Sequence, residues 1–143
     1  TRVAALLETE KKIGISTPSY YKAFAETIQE NKTLLVSLLD TLKKAGKTIA
    51  AYGASAKGST LLNVFGINKE RLDFVVDRSQ AKQGYYTPGS HLPIYAPEKL
   101  LENKPDYVLL LTWNFKDEIL KQQDAYRSQG GKFIIPVPSP QII

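Results

Sequence analysis

From Gly53 to Gly58 the chain reads Gly-Ala-Ser-Ala-Lys-Gly, the segment best equipped for chemistry. An apolar run, Ile49 to Tyr52, leads into it, and helix formers with Leu61, Leu62 and Phe65 on one side lead out. A strand, a tight turn and a helix start in that order aim free backbone amides and the positive end of a helix dipole at one point, which suits a phosphate or another anion. Gly53, Ala54 and Gly58 allow close approach, and Ser55, Lys57, Ser59 and Thr60 offer donors. Two known fingerprints are not met. Ser55 stands where G-x-G-x-x-G needs its middle glycine, and Lys57 precedes Gly58 where the Walker pattern needs the lysine after the glycine. No Walker-type acid for Mg²⁺ is evident either, which speaks against ATP hydrolysis. The competing reading is a strand-to-helix turn that holds nothing.

Three other places carry polar or aromatic groups of interest. Asp77 ends the second predicted strand, where an acid in dinucleotide folds binds a ribose hydroxyl, but it can equally bond backbone amides near Ser79 as a turn cap. Trp113 and Asn114 follow the fourth predicted strand. The indole could stack on a ligand, and Asn114 could hydrogen-bond one or cap the next helix, the cap being the simpler role. The loop Lys82–His91 is long and ends in the single histidine of the chain, the one side chain whose ordinary pKa lies near neutrality. No acidic neighbour poises His91, so a structural or orienting role is favoured over catalysis, for which it is a weak candidate.

Composition bounds the rest. The 143 residues suit one domain plus an extra element, with 43% hydrophobic and 23% charged residues. The chain has no cysteine, which excludes disulfides and thiolate metal sites and fits a cytoplasmic location; one histidine speaks against a histidine-based metal site. No apolar stretch is long enough to cross a membrane as a helix, and no membrane partner is expected. The net charge of +5 gives an anion a favourable field, but the basic residues are scattered and no nucleic-acid-binding motif is present, so no nucleic-acid partner is expected. The chain contains no methionine and has no signal-peptide layout at its start, so it reads as a fragment of a longer protein.

The elements that must position these residues are legible from periodicity. Residues 2–13 form a helix stopped by Gly14. Thr17-Pro18 starts a second helix of about 27 residues, about 40 Å long, with Tyr21, Phe24, Ile28, Leu35, Leu38 and Leu42 as its seam and a gap at Asn31. Leu34 and Leu39 widen the seam, implying more than one apolar neighbour. Strands are expected at Thr48–Tyr52, Leu72–Val76, Pro93–Tyr95, Tyr107–Leu111 and Lys132–Ile135, with helices to Phe65, after Glu98 and over Phe115–Gln129. The alternation predicts an α/β fold: a Rossmann-like, doubly wound, parallel five-stranded sheet of order 3-2-1-4-5, preceded by two N-terminal helices, one of them long. The expected division is a helical connector over 1–46 and a Rossmann-like unit over 47–143.

Four ordered segments, YGASAKGSTLLN (52–63), VVDRSQAKQGYYTPGSHLPI (75–94), PDYVLLLTWNFKDEI (105–119) and GGKFIIPVP (130–138), resemble the C-terminal domain of the S-adenosylmethionine-dependent sugar C-methyltransferases. The likeness covers essentially the whole chain; Ser59, where the family pattern has asparagine, departs from it. The resemblance implies a three-part enzyme. A zinc-binding region and a methyltransferase domain would lie upstream, and this Rossmann-like domain would help hold a nucleotide-diphosphate sugar. It implies that S-adenosylmethionine serves the full-length protein but is bound outside this chain, with no cofactor and no metal bound here. It also implies deprotonation next to a 4-keto group followed by attack on the donor methyl, with the catalytic set upstream. On this reading Gly53, Ala54, Ser55, Lys57, Gly58, Asp77, Trp113 and Asn114 are substrate-binding residues. A deoxythymidine nucleotide lacks the 2′-hydroxyl that Asp77 would otherwise bind, which favours the turn-cap role. Two other classes compete: a non-catalytic module for a dinucleotide or coenzyme A, and an interaction domain with an empty turn.

Overall fold

The computed structural model describes Thr1 to Ile143. Two helices, α1 (Arg2–Ile13) and α2 (Pro18–Lys44), precede β1 (Ile49–Tyr52), α3 (Ala56–Phe65), β2 (Val75–Val76), β3 (Ile94–Tyr95), α4 (Lys99–Asn103) and β4 (Tyr107–Leu110). A 3₁₀ turn (Trp113–Phe115) then leads to α5 (Lys116–Gln122), α6 (Asp124–Ser128), β5 (Lys132–Ile135) and β6 (Gln141–Ile142). The strands form one sheet of order β3-β2-β1-β4-β5-β6. The first five are parallel, with Ala51 opposite Val75 on one side of β1 and opposite Leu109 on the other. This is the expected doubly wound order with one addition: β6 pairs antiparallel with β5, Ile134 opposite Ile142. No helix is long and apolar enough to cross a membrane.

Strand periodicity divides the core into two layers. Ile49, Ala51, Val75, Leu109 and Ile134 face α2 and α3, meeting Leu35, Leu39, Leu61, Leu62 and Phe65. Ala50, Tyr52, Val76, Val108, Leu110, Phe133 and Ile135 face the other way, against Leu100, Ile119 and Tyr126 of α4, α5 and α6. All four residues of β1 are buried, as a central parallel strand with both faces covered requires.

The long helix meets this sheet with only its C-terminal part. Leu35 and Leu39 are its buried residues, and Val36, Leu38 and Leu42 are packed partly against the same layer. Tyr21, Phe24, Ile28 and Leu34 are exposed, and α1 has no buried residue. The expected continuous seam therefore has no partner within the chain over its first half. Length is the reason: a four-residue strand spans about 13 Å, whereas this helix runs about 40 Å. Asn31 marks the transition, donating from Nδ2 to the carbonyl of Pro136 at 2.9 Å. Beyond it, charged contacts fasten α2 to the segment before β2. Arg71 donates to both carboxylate oxygens of Asp40, at 2.6 and 3.0 Å, and Lys43 pairs with Asp73 at 3.0 Å.

Two elements differ from the sequence reading. The second strand is shorter than expected, Val75–Val76; ahead of it Asp73 still bonds β1, its N donating to the Ile49 carbonyl at 2.8 Å and its Oδ2 accepting from Ile49 N at 2.9 Å. The helix expected over Phe115–Gln129 is three pieces, with a break at Gln123 (φ −100°, ψ 26°). The break lets Tyr126 pack edge-on against Phe133, centroids 5.6 Å apart, and donate to the carbonyl of Pro105 at 2.7 Å.

Asp106 ties the N-terminal ends of β1 and β4. Its carboxylate accepts from Thr48 N and Oγ1 and from Lys47 Nζ, each at 2.9 Å. The Thr48 amide, with help from Lys47, holds its pKa down to about 2 from the ordinary 3.8. The folded value lies below the unfolded one, so this contribution is complete above the unfolded pKa and is lost as pH falls through the folded one. Asp106→Asn should therefore flatten the acid limb of the stability curve between pH 4 and pH 2, read by urea melts. The packing of α2 predicts an unequal pair. Leu39→Ala should cost about 2–5 kcal/mol, because Leu39 is fully buried. Phe24→Ala, at an exposed position, should stay within about 0.5 kcal/mol of the parent.

Candidate functional site

The order of the sheet reverses between β1 and β4, and a crevice opens there beyond the carboxyl ends of the strands. Its floor depends on Gly53, which has φ +98°; a Cβ at that position would lie 2.6 Å from Thr112 Cγ2. Gly58 is needed for a different reason: a Cβ there would lie 2.7 Å from Leu111 Cβ, so its absence lets α3 approach the end of β4. Ser55 caps α3, its Oγ accepting from Gly58 N at 3.0 Å. Ala54 N donates to Asp77 Oδ2 at 2.7 Å. The amides of Ser55, Ala56 and Lys57 donate to no group of the chain and point from the first turn of a ten-residue helix.

Asp77 is a turn organiser. Besides Ala54, it accepts from Ser79 N at 2.8 Å through Oδ1 and meets Lys82 Nζ at 3.3 Å. Both oxygens are engaged within the chain, and the side chain is largely buried. Of the two roles open in the sequence, the capped turn is the one these bonds describe.

Lys57, Trp113 and Asn114 come together. Lys57 Nζ donates to Asn114 Oδ1 and lies 4.1 Å from the Trp113 ring centroid, bridging the turn after β1 to the connection after β4. Asn114 lies inside the 3₁₀ turn and makes no cap bond, so its expected capping role is replaced by the contact with Lys57. Trp113 is half-buried and packs against both core layers. His91 is exposed, holds a left-handed backbone (φ 53°) and has its ring beside Tyr86; it does not line the crevice. Its loop is instead pinned to α3, where Asn63 Nδ2 donates to the carbonyl of Pro88 at 3.0 Å.

The crevice itself has a volume of about 260 Å³ and is lined by Tyr52, Gly53, Asp77, Arg78, Thr112, Phe115, Glu118, Ile119 and Gln122. A second recess of about 470 Å³ adjoins it, shares Tyr52, Arg78 and Gln122, and extends toward Gln80, Gln83 and Pro97. Arg78 spans the junction, 3.4 Å from Gln122 Oε1 and 3.7 Å from Glu118. Burial pushes the Tyr52 phenol up from its ordinary pKa, with Arg78 acting in the opposite sense. Tyr52, Arg78, Thr112, Phe115, Glu118 and Gln122 were not singled out from the sequence. The one available signal was position: Tyr52 and Thr112 stand at the ends of strands that flank a reversal of order. No three His, Cys, Asp or Glu side chains are grouped as metal ligands.

Comparison with known proteins agrees with the motifs. Residues 1–138 match the pattern of the C-methyltransferase C-terminal domain. The chain is 38% identical over 141 residues to the C-methyltransferase NovU of Streptomyces niveus, covering 99% of this chain and 34% of that protein. It thus spans about a third of the length of that curated relative. Among solved structures, UDP-D-quinovosamine 4-dehydrogenase from Vibrio fischeri is similar at a TM-score of 0.43 and 20% identity, over 62% of this chain and 75% of that one.

The geometry of the turn predicts that Gly53→Ala destabilises the chain by about 1–3 kcal/mol, since it combines a left-handed backbone with a contact of the added methyl on Thr112. Thermal or urea melts check the loss, and Thr112→Ala in the same chain should recover part of it by opening space for the methyl.

Proposed function

The chain belongs to the C-methyltransferase C-terminal domain family, and on that premise we propose that it holds a nucleotide-diphospho-keto-deoxysugar for a methyl transfer carried out by an upstream S-adenosylmethionine-dependent domain of the same protein. One observation carries the reading: three unpaired amides at the start of α3 open beside a crevice at the switch point of the sheet. Such amides, with the helix dipole behind them, bind phosphate oxygens. The diphosphate is assigned to Gly53–Gly58, with the Lys57 ammonium beside it and Trp113 and Asn114 as the neighbouring wall.

The chain's own residues bind and orient; they do not supply the reaction's base. A base must come within about 3 Å of the proton next to the keto group. His91 is outside the crevice, Asp77 is engaged by two amides and Lys82, and Glu118 faces Arg78. Proton abstraction is therefore assigned to the upstream domain, where the bound donor supplies an electrophilic methyl group. The residues here do not suit a ribosyl cofactor. Asp77, at the position that reads a ribose diol in dinucleotide folds, already directs both oxygens at groups of the chain. That supports placing S-adenosylmethionine elsewhere, and it weighs equally against a dinucleotide module. The exposed apolar face of α1 and of the first half of α2 supports a connector role for residues 1–46, and we place the whole protein in the cytoplasm.

Calorimetric titration of the chain with deoxythymidine diphosphate sugars and with S-adenosylmethionine tests the proposal. The sugar nucleotide should bind, and Lys57→Ala should weaken it about 10- to 100-fold, the range for loss of a charge-assisted hydrogen bond. Tighter binding of S-adenosylmethionine than of the sugar nucleotide would falsify it.

A further inference from the structure

We propose that the exposed apolar side of α1 and of residues 18–30 is a docking surface for the upstream domain of the same protein, and that it holds that domain beyond the carboxyl ends of the strands. The inference takes from the reading above only that an upstream domain shares the polypeptide, and it assigns residues to the contact between the two.

Apolar side chains are spread unevenly over the surface. Seventeen large hydrophobic residues are exposed, and nine of them lie within the first 34 residues of the 143. Scattered exposed residues need no explanation, but a cluster of this size marks an interaction site. The cluster is also ordered. At about 100° per residue, Tyr21, Phe24 and Ile28 fall on the same side of α2 as Leu35 and Leu39, which are fully buried against the sheet. Lys22, Glu26 and Glu30, all exposed, fall on the opposite side. One stripe therefore runs along the helix, covered over its second half and bare over its first. In α1, which has no buried residue, Val3, Leu6, Leu7 and Ile13 also recur on one side.

Contacts along α2 give the direction of the bare half. Lys43 pairs at 3.0 Å with Asp73, just ahead of β2, and four residues separate α2 from β1, so the C-terminal end of α2 lies at the amino ends of the strands. Asn31 donates to the carbonyl of Pro136, the residue after β5, and so lies at their carboxyl ends. Residues 18–30 continue past that edge for about 20 Å, with the apolar stripe turned to the side on which the sheet lies. The crevice at the switch point opens on the same edge. A body seated under this overhang stands beside the crevice, where a domain carrying the methyl donor has to be.

Tethering decides between an upstream domain and a second copy of the chain. The matched pattern is that of a C-terminal domain, and the chain spans 34% of its curated relative. In a protein of that layout the larger part is joined to α1, at the bare face itself. A tethered domain meets its surface at an effective concentration of about a millimolar, so a small apolar contact suffices. A second copy has no such help. The bare stripe from Tyr21 to Ile28 is about one heptad long, and pairing between separate helices takes about three to four.

Hydrogen exchange of the full-length protein and of the chain alone tests the proposal. Amides of α1 and of residues 18–30 should exchange at least about tenfold more slowly in the full-length protein. Phe24→Lys combined with Ile28→Glu keeps helix-forming residues at both positions. In the full-length protein the pair should return these amides to the exchange rates of the chain alone and raise the radius of gyration in small-angle scattering. In the chain alone it should leave the melting temperature unchanged. Equal exchange in the two proteins overturns the inference, and so does protection that survives the double substitution. Protection that appears in the chain alone and grows with its concentration assigns the face to a second copy and overturns it as well. Titration of the same full-length protein with deoxythymidine diphosphate glucose separates the two readings. Protection without sugar-nucleotide binding defeats the proposed function and supports the docking surface; binding without protection defeats the docking surface alone.

Discussion

The Asp77 carboxylate is the contact on which the arrangement of the strand ends depends. It accepts from the amide of Ala54 in the turn after β1 and from the amide of Ser79 in the turn after β2. Parallel strands are joined through their ladders, but beyond the last ladder bond nothing in the sheet dictates how adjacent turns are oriented. A charged acceptor bonded to an amide from each turn supplies that restraint, and charge-assisted bonds of this kind are stronger than neutral ones. With Ala54 held, Gly53 can keep its left-handed backbone against Thr112, and Ser55 can cap α3. The next three amides are left without a partner in the chain. The same aspartate that stands where dinucleotide folds place a ligand-binding acid is thereby used up in joining the two turns.

A second constraint is the shortness of the strands. With four residues or fewer in each, the sheet is about as long as two and a half turns of helix. It can seat α3 and the last part of α2 on one face, and α4, α5 and α6 on the other. It cannot cover the whole of α2. The exposed aromatic and aliphatic residues of α1 and α2 follow from that mismatch, with Asn31 and its bond to Pro136 at the point where the helix leaves the sheet. Charged pairs such as Arg71–Asp40 lie past this point, on the part of the helix that is packed, where they fix its register against the segment before β2.

Several features were legible in the residues because they rest on local chemistry. Gly14 ends α1 in a left-handed conformation, and Pro18 opens α2. The apolar runs at Ile49–Tyr52 and Tyr107–Leu110 are central strands. The break at Gln123 was not legible, since nothing in Gln122-Gln123-Asp124 forbids a helix; the pull of Tyr126 toward Phe133 and Pro105 is a contact between distant segments. For the same reason β6 escaped notice: Gln141-Ile142 is too short to register as a strand until Ile134 is found opposite it. Asn114 misled because asparagine before a helix usually caps it, and here Lys57, from another turn, takes its oxygen.

The sequence by itself determined the alternation of strand and helix, the tight strand-to-helix turn at Gly53–Gly58 and membership in a C-methyltransferase family, because each is carried by residue types at short spacing. Only the tertiary structure decided which groups around that turn remain free. It committed Asp77 to two turns, joined Lys57 to Trp113 and Asn114, and set His91 apart. The physical reason is that hydrogen-bond partners are assigned by proximity in space. A side chain's spare capacity for a ligand is what remains after the folded chain has taken its share.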